Sequence, residues 1–364
     1  MNWSTRPEFG AFEKITNALP MITFDDVQII PRLSTVPSRK LIETKTRFTR
    51  TFNIDIPLVA APMDTVCGSD LAIALMKLGG VGILHRFNSI SEAVAEAQMV
   101  ATMTMHTQST KYPVASSIGA TGDYQERAVA LLDAGANVLL IDVAHGHHSN
   151  VANAIEWLKG HLYPRYEFDI IAGNVATEEA TIYLEDAGAD AIRVGVGGGS
   201  VCETRIRTGV GVPQLTSVLL AVSAVKNVPV ISDGGIRYPG DVAKALAAGA
   251  DSVMIGSLFA GTEESPGEIL IGGKWPNNQR MKIYRGSASA TIKMEKTSEL
   301  NNVEGATKVI PMKGTLASVV HDIMDGVQSS MSYVGATNLG DFYNYSQFVK
   351  ITSSGLTEAH PHLL

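Results

Sequence analysis

The sequence contains few of the features that mark secreted, membrane-bound or nucleic-acid-binding proteins. Only two of its 364 residues are cysteines, Cys67 and Cys202, which excludes a framework of several disulfides. No apolar run reaches the roughly 18 residues that a membrane-spanning helix requires, so no membrane partner is expected. The net charge is −7 and no basic cluster occurs, which argues against a nucleic-acid partner.

The start of the chain also lacks an apolar segment of the kind that directs secretion. The two cysteines are enough for one disulfide, but we expect a reducing, cytoplasmic location and therefore two free thiols. Because the overall charge is negative, an anionic small ligand has to be held locally, by backbone amides and a few arginine or lysine side chains.

What the sequence does contain is a repeated alternation of short apolar runs with helical patterns. Hydrophobic residues make up 45% of the chain, enough for one large α/β barrel or two ordinary domains. A motif of Ala-Gly-Ala followed by Asn or Asp ends a predicted helix and precedes an apolar run at 134–137, 187–190 and 248–251. Eight runs are predicted strands: 56–60, 81–84, 113–116, 138–142, 169–173, 191–194, 228–232 and 252–255.

Eight strands that alternate with helices predict an α/β fold of the (β/α)₈ TIM-barrel class, with a doubly wound open sheet as the alternative. We expect one barrel domain over residues 1–364. After the last strand, the polar stretch 261–314 predicts an irregular lid or a disordered segment, of which about 268–314 forms a flap. A helix at 316–331 and a C-terminal tail at about 332–364 follow.

Polar residues follow seven of the predicted strands. In a TIM barrel the carboxyl ends of the strands face one side, where active sites are found. Each such residue taken singly is more often a cap or a turn residue, but seven at one end favour a shared site. They are Asp64, His85 with Arg86, Asp142 with His145, Asn174, Cys202, Asp233 and Ser257.

The loop after the sixth predicted strand is the most informative motif. Four of the five residues at 195–199 are glycine, and Cys202 follows them. Glycine lets a backbone approach a ligand closely, amides in such a turn can bind phosphate, and a neighbouring thiol can act as a nucleophile. A glycine-rich turn beside a structural cysteine is the alternative that this loop alone leaves open.

Several motifs, taken in their order along the chain, resemble the family of IMP dehydrogenases and GMP reductases. They lie at 61–66, 173–175, 195–214, 232–237, 261–267 and 284–286, and the resemblance extends from about Thr23 to His362. It implies a (β/α)₈ barrel that is usually a homotetramer. In this family a cysteine attacks C2 of a purine nucleoside monophosphate, GMP or IMP, and forms a covalent thioimidate.

The resemblance assigns roles residue by residue. Cys202 is the implied nucleophile, and Thr204 with Glu304 is implied to handle ammonia. The implied substrate-binding residues are Met63, Ser200, Asp233, Gly234, Gly235, Gly256, Ser257, Tyr284, Gly286 and Ser287. The implied cofactor-binding residues are Arg86, Asp142, Val143, Ala144 and Asn174. The carbonyls of Gly197, Gly199 and Cys202 match the potassium-binding loop of the family.

The two reactions of this family differ in how water or ammonia is handled. In the dehydrogenase, NAD⁺ removes hydride from IMP and an Arg-Tyr pair on the flap activates the water that releases XMP. In the reductase, GMP loses ammonia and NADPH delivers hydride to give IMP. The corresponding stretch, 289–313, is short and contains no arginine and no tyrosine. Losing such a base costs about 10²–10⁴-fold in rate, so we expect an NADPH-dependent GMP reductase, with NADH or NAD as alternative cofactors.

Other motifs favour IMP dehydrogenase, which is kept as the alternative function. His145-Gly-His147 and the ending at 352–362 resemble dehydrogenases, and Ser287 and Arg86 stand where the family commonly has Met and Lys. The chain lacks the pair of CBS modules that many dehydrogenases insert, since residues 87–112 leave room for one helix. A non-catalytic nucleotide-binding barrel and another phosphate-binding barrel enzyme are further alternatives, which Cys202 and Thr204 together disfavour.

Overall fold

A computed structural model describes residues 20–106, 112–273, 278–290, 292, 294 and 303–361. The start of the chain, parts of the flap and the last residues, His362 among them, therefore lie outside the description. Within the described ranges, none of the helices combines the length and the apolar character that crossing a membrane demands.

Eight parallel strands close into a barrel in which each strand pairs with its neighbours in chain order. This confirms the predicted TIM barrel and excludes the doubly wound open sheet. Each predicted strand overlaps an observed one. The barrel strands are β1 Leu58–Ala60, β2 Val81–Leu84, β3 Ala115–Ile118, β4 Val138–Asp142, β5 Asp169–Val175, β6 Ala191–Val194, β7 Val230–Asp233 and β8 Ser252–Ile255.

Helices connect the strands and form the outer layer of the barrel. A long helix after the flap, predicted at 316–331, packs between the helices that follow β7 and β1 and so completes the ring. The helices are α1 Ser69–Lys77, α2 Ile90–His106, α3 Tyr124–Asp133, α4 Ser149–Leu162, α5 Glu178–Asp186, α6 Thr204–Thr208, α7 Gln214–Ala224, α8 Pro239–Ala247, α9 Leu316–Val334, α10 Leu339–Tyr345 and α11 Ser353–Glu358.

The repeated Ala-Gly-Ala-Asx motif has one structural role at all three positions. The side chains of Asn137, Asp190 and Asp251 each accept a hydrogen bond from a backbone N–H at the start of the preceding barrel strand, at 2.7, 3.0 and 2.9 Å. The glycines of the motif, at 135, 188 and 249, all have positive φ, as helix-ending glycines do. The repeat seen in the sequence is therefore a device for ending helices and fixing the N-terminal ends of strands.

A small hairpin closes this N-terminal end of the barrel. Its strands, Thr46–Arg47 and Asn53–Ile54, pair in antiparallel fashion, and Phe48 and Phe52 between them are buried among the inward-facing strand residues. Asp169 at the start of β5 accepts three hydrogen bonds from the hairpin, at 2.5, 2.8 and 2.9 Å. The apolar plug and its polar anchor seal the barrel on the side opposite the predicted site.

The flap differs from its prediction because it contains regular structure. Leu270–Gly272, Gln279–Arg285 and Thr307–Pro311, here β9, β10 and β11, form a three-stranded antiparallel sheet. A buried position of the middle strand is occupied by Lys282, whose Nζ donates to the carbonyls of Thr262 and Ser265 at 3.0 and 2.5 Å. A lysine in a buried strand position hides the apolar alternation on which strand prediction depends.

The two termini of the described chain meet on the outside of the barrel. The strand Val27–Ile29 pairs antiparallel with Phe348–Lys350 in the predicted C-terminal tail. The tail also holds α10 and α11, and this strand pairing attaches it to the segment that precedes the barrel. Thr23 and Asp25 at the start of this segment reach the mouth of the barrel.

Candidate active site

A cavity of about 680 Å³ opens at the carboxyl ends of the barrel strands. Its walls come from the flap, from the segment around Phe24, and from the carboxyl ends of every barrel strand except β3 or the loops that follow them. Every residue that the sequence analysis assigned to the catalytic, substrate, cofactor and cation sets lines this one cavity. The structure therefore brings the predicted residues together, and their individual roles stay predictions.

The cysteine loop, residues 195–204, depends on glycine for close packing. At Gly195, whose φ is 145°, a Cβ atom would lie 2.0 Å from the carbonyl oxygen of Asp233. At Gly197, whose φ is 74°, it would lie 2.5 Å from Cγ of Arg205. Side chains do not tolerate such distances, so these two positions require glycine.

Cys202 is an exposed free thiol that belongs to a chain of three hydrogen-bonded side chains. Its Sγ lies 3.2 Å from Oγ1 of Thr204, and that hydroxyl donates to Oε2 of Glu304 at 2.7 Å. A hydroxyl can donate and accept at once, whereas an ionised carboxylate only accepts. The chain can therefore carry a proton between the Glu304 carboxylate and the space beside the sulfur.

Backbone hydrogen bonds hold Glu304 in this position. The N–H of Glu203 donates to the carbonyl of Glu304 at 2.7 Å, and the N–H of Ala306 donates to the carbonyl of Val201 at 2.8 Å. On the other side, the N–H of Glu304 donates to the carbonyl of Ala288 at 3.1 Å. The residues that precede β11 are thus clamped between the cysteine loop and the flap turn that carries Ala288.

Arg193 is a site residue that the sequence analysis missed. It is 8% exposed in β6, its Nη1 donates to Oδ1 of Asp142 at 2.6 Å, and its Nε donates to Oδ2 of Asp233 at 2.9 Å. Nδ2 of Asn174 donates to the same Asp233 oxygen at 2.7 Å. Burial by itself lowers the pKa of Arg193, but the carboxylates of Asp233 and Asp142 outweigh it and raise that pKa. The signal in the sequence was a charged residue inside an apolar strand, where a charge needs partners.

The residues predicted to bind the cofactor lie on one wall of the cavity. Nε of Arg86 is 3.6 Å from Oδ2 of Asp142, and its guanidinium lies 5.3 Å from the centroid of the Phe87 ring. Val143 is half-buried and Ala144 is exposed. This wall therefore places a charged pair beside small side chains, and such a surface leaves room for a flat polar ring of a ligand.

The turn after β7 packs against the cysteine loop, and the turn after β8 presents backbone donors suited to an anion. Gly234 and Gly235 have φ of 95° and 79°, and the N–H of Gly235 donates to the carbonyl of Gly198 at 2.9 Å. After β8, residues 256–260 form a single helical turn, here the β8 turn, because the carbonyl of Gly256 accepts the N–H of Ala260 at 2.9 Å. Amides at the start of helical turns attract anions.

Two hydroxyl groups complete this region. Oγ of Ser200 donates to Oη of Tyr284 at 3.3 Å, and a Cβ atom at Gly256 would lie 3.2 Å from the same phenol oxygen. Tyr284 is 5% exposed, and burial raises the pKa of its phenol, so the hydroxyl remains a donor at neutral pH. The cysteine loop, the β8 turn and the flap therefore converge at one phenol.

The turn implied to bind the base is fixed from outside the cavity. Nε of Arg285 donates to Oδ2 of Asp64 at 2.6 Å, and the N–H of Arg285 donates to Oγ1 of Thr65 at 3.1 Å. Gly286 and Ser287 follow directly and line the cavity. The loop after β1 thus holds the flap turn at its entrance.

Arg205 is a second residue that the sequence analysis did not assign. Its guanidinium donates to the carbonyl of Val196 at 3.0 and 3.1 Å and to that of Val212 at 2.5 Å. A Cβ atom at Gly211 would lie 2.6 Å from its Cγ. Arg205 therefore ties the cysteine loop at Val196 to Val212, in the segment that follows α6.

The carbonyls predicted to hold potassium are compatible with a cation. Within the described residues, those of Gly197 and Cys202 accept no hydrogen bond, and that of Gly199 accepts the Cys202 N–H at 3.0 Å. Free backbone oxygens are the ligands that hard cations prefer. No cluster of three or more His, Cys, Asp or Glu side chains suited to a metal occurs in the part of the chain that the structure describes.

A closed β/α barrel with an exposed thiol, a hydrogen-bonded chain of side chains and a glycine-rich loop at its C-terminal end has the architecture of a barrel enzyme. Residues 21–362 match the IMP dehydrogenase / GMP reductase domain, and the chain belongs to that family of oxidoreductases acting on purine nucleotides.

Known relatives carry both family names. The chain is 37% identical over 398 residues to an inosine-5′-monophosphate dehydrogenase of Borreliella burgdorferi, which covers 94% of this chain and 96% of the relative. It is 31% identical over 479 residues to a GMP reductase of Leishmania major, with 94% and 96% covered. Among solved structures, a GMP reductase variant from Trypanosoma brucei in complex with guanosine 5′-monophosphate is 30% identical, with a TM-score of 0.90 over 97% of this chain and 100% of that chain.

Proposed function

We propose that the protein is an NADPH-dependent GMP reductase that converts GMP to IMP and ammonia. The observation that carries the proposal is the chain from Cys202 through Thr204 to Glu304, with links of 3.2 and 2.7 Å. A carboxylate joined through a hydroxyl to the region of the nucleophile suits the protonation of a departing amine. The absence of arginine and tyrosine from residues 289–313 argues against a water-activating pair there.

The covalent step follows from this arrangement. The thiol proton of Cys202 passes through Thr204 to Glu304, and the resulting thiolate adds to C2 of the guanine ring, forming a carbon–sulfur bond. Glu304, acting through Thr204, supplies a proton to the 2-amino group. The C2–N bond then breaks, ammonia departs, and a thioimidate remains on Cys202. Hydride delivery to C2 would then break the carbon–sulfur bond, return the thiolate and release IMP. NADPH supplies that hydride when bound.

The remaining residues hold the two ligands. We infer that amides at the start of the β8 turn, with the hydroxyls of Ser200, Ser257 and Tyr284, bind the 5′-phosphate beside Gly235 and Gly256, and that Asp233 accepts from the ribose hydroxyls. The wall of residues 142–144 with Asn174 and Arg86 fits the nicotinamide end of the cofactor, because a charged pair lies there beside small side chains. The carbonyls of Gly197, Gly199 and Cys202 would hold potassium. A homotetramer remains a prediction of the family resemblance.

IMP dehydrogenase is the second candidate function. The dehydrogenases of Borreliella burgdorferi and Cryptosporidium parvum share 37% and 36% identity with the chain, more than the 31% of the Leishmania major reductase. Differences of five or six percentage points in identity do not separate the two reactions, so the direction of the reaction has to be measured.

A paired assay tests the proposal. When purified protein is mixed with GMP and NADPH, the absorbance of NADPH should fall and one ammonia should be released per NADPH oxidised. IMP with NAD⁺ should give little turnover. Oxidation of IMP by NAD⁺ without ammonia release from GMP would move the assignment to the dehydrogenase. Nucleotide binding without turnover in either direction would favour the non-catalytic barrel.

A further inference from the structure

Lys313 lies behind the β8 turn rather than in the cavity. Its Nζ donates to the carbonyl of Ser257 and lies 3.4 Å from the carbonyl oxygen of Leu258. Ser257 lines the cavity, whereas Lys313 is not part of the described cavity wall. The ammonium therefore contacts the carbonyl end of the same short helical turn whose amide end faces the cavity.

The contact between Lys313 and the carbonyl end affects the whole β8 turn. The peptide groups of a helical turn are aligned, so a cation at the carbonyl end stabilises the turn and its dipole. Fixing the carbonyls of Ser257 and Leu258 also fixes the amide planes that follow them. Partial desolvation lowers the pKa of Lys313, so its hydrogen bonds to carbonyls compensate for lost water.

Lys313 belongs to the C-terminal end of the flap. It follows the end of β11, and β11 begins three residues after Glu304. Its N–H donates to the carbonyl of Gly261 at 2.9 Å, and the N–H of Glu263 donates back to the carbonyl of Gly314 at 2.9 Å. The segment after β8 and the segment after β11 are therefore paired directly beneath the β8 turn.

We propose that Lys313 is a positioning residue that sets the β8 turn for binding the 5′-phosphate of the substrate and ties that turn to the flap strand following Glu304. This inference rests on the proposed function, in that the cavity takes a purine nucleoside 5′-monophosphate. It holds for either direction of the family reaction, since both substrates carry the same phosphate.

The test compares Lys313→Met, Lys313→Gln and Lys313→Arg with Lys308→Met, which removes an exposed lysine from β11 itself. Dissociation constants are measured by calorimetry for GMP and IMP and, in parallel, for guanosine and inosine, which lack the phosphate. Lys313→Met should weaken binding of both monophosphates by roughly tenfold, the effect of losing charge-assisted hydrogen bonds, and leave the nucleosides unchanged. Lys313→Gln should fall between, and Lys313→Arg and Lys308→Met should resemble the wild type.

A double substitution checks that Lys313 acts through the turn. Ser257→Ala combined with Lys313→Met should weaken monophosphate binding by less than the product of the two separate effects. Equal weakening for nucleotides and nucleosides, or unchanged monophosphate binding in Lys313→Met, would overturn the inference. It would also be overturned if the double variant weakened monophosphate binding by the full product of the two separate effects. Wild-type protein that binds neither monophosphate would instead overturn the proposed function, and the inference with it.

Discussion

The two ends of the barrel use the same residue types in opposite ways. At the N-terminal end, Asp190 is 3% exposed, and its carboxylate accepts from Arg50 at 3.0 Å, from Tyr163 at 3.0 Å and from a strand N–H at 3.0 Å. At the C-terminal end, the carboxylate of Asp233 is held by Arg193 and Asn174 through one oxygen, and the residue lines the cavity.

This contrast separates stability from function within one fold. Polar groups at the N-terminal end are satisfied by the protein itself, so they fix strands and contribute to folding. Polar groups at the C-terminal end are held in place by some partners and keep capacity for a ligand. Substitutions at the two ends should therefore fail in different ways.

The largest expected effect separates the two cysteines. Cys202→Ser should lower turnover by roughly 10⁴-fold or more, as loss of a covalent nucleophile does. Cys67→Ser should retain turnover, because Cys67 is fully buried and burial raises the pKa of its thiol, which keeps it unreactive. Steady-state rates with matched thermal unfolding curves check this, and retained turnover in Cys202→Ser would contradict the proposed chemistry.

Glu304 provides the next largest effect. Glu304→Gln keeps the shape of the side chain, but the amide cannot take up and release a proton. Ammonia release should therefore slow by about 10²–10⁴-fold. Glu203→Gln is the matched control, because Glu203 pairs with Arg207 at 2.9 Å outside the chain that leads to the sulfur. Single-turnover measurement of ammonia distinguishes the two variants, and equal rates in both would remove Glu304 from the mechanism.

The third prediction compares arginines from the two ends and limits the contrast, because the buried charges of the site also contribute to stability. Arg193→Met leaves two largely buried carboxylates without their shared partner and should lower the free energy of unfolding by about 3–5 kcal/mol. Arg50→Met removes a cation that is 45% exposed and should cost about 0–1 kcal/mol, because other donors still satisfy Asp190. Urea unfolding measures both. A larger loss of unfolding free energy for Arg50→Met than for Arg193→Met would contradict the conclusion that the more deeply buried charge lies at the site.

The smallest expected effect lies outside both ends, on α2. Burial, helped by Glu92 and Asp70, raises the pKa of Glu96 from 4.5 to about 7. Between these values the folded state keeps a proton that the unfolded state has lost, so the stability contributed by protonated Glu96 falls as the pH rises from about 4.5 to 7. Glu96→Gln should remove about 1 kcal/mol of this pH dependence. Thermal unfolding at about pH 4 and about pH 8 checks it, and an unchanged pH profile would show that Glu96 titrates normally.

The eight barrel strands could be predicted because β/α repetition is written locally, as apolar runs separated by helix-ending glycines. The position of the site could also be predicted, since the carboxyl ends of parallel strands must face one side. Arg193 was missed because residues 191–194 were predicted as an apolar strand, and the charge inside that strand was assigned no partner. Lys282 had the same effect in the flap, where a buried lysine concealed β10 within a segment predicted to be irregular.

By itself, the sequence determined the barrel, the cysteine loop and the family, because each depends on residues that are close in the chain or on motifs in a fixed order. The tertiary structure brings the pair implied by the resemblance, Thr204 and Glu304, into hydrogen-bond contact. It alone decided that Arg193 pairs with Asp142 and Asp233 and that Lys313 contacts the β8 turn. The physical reason is that a hydrogen bond requires atoms about 3 Å apart. Thr204 and Glu304, separated by 100 positions, reach that distance only when the flap folds onto the barrel.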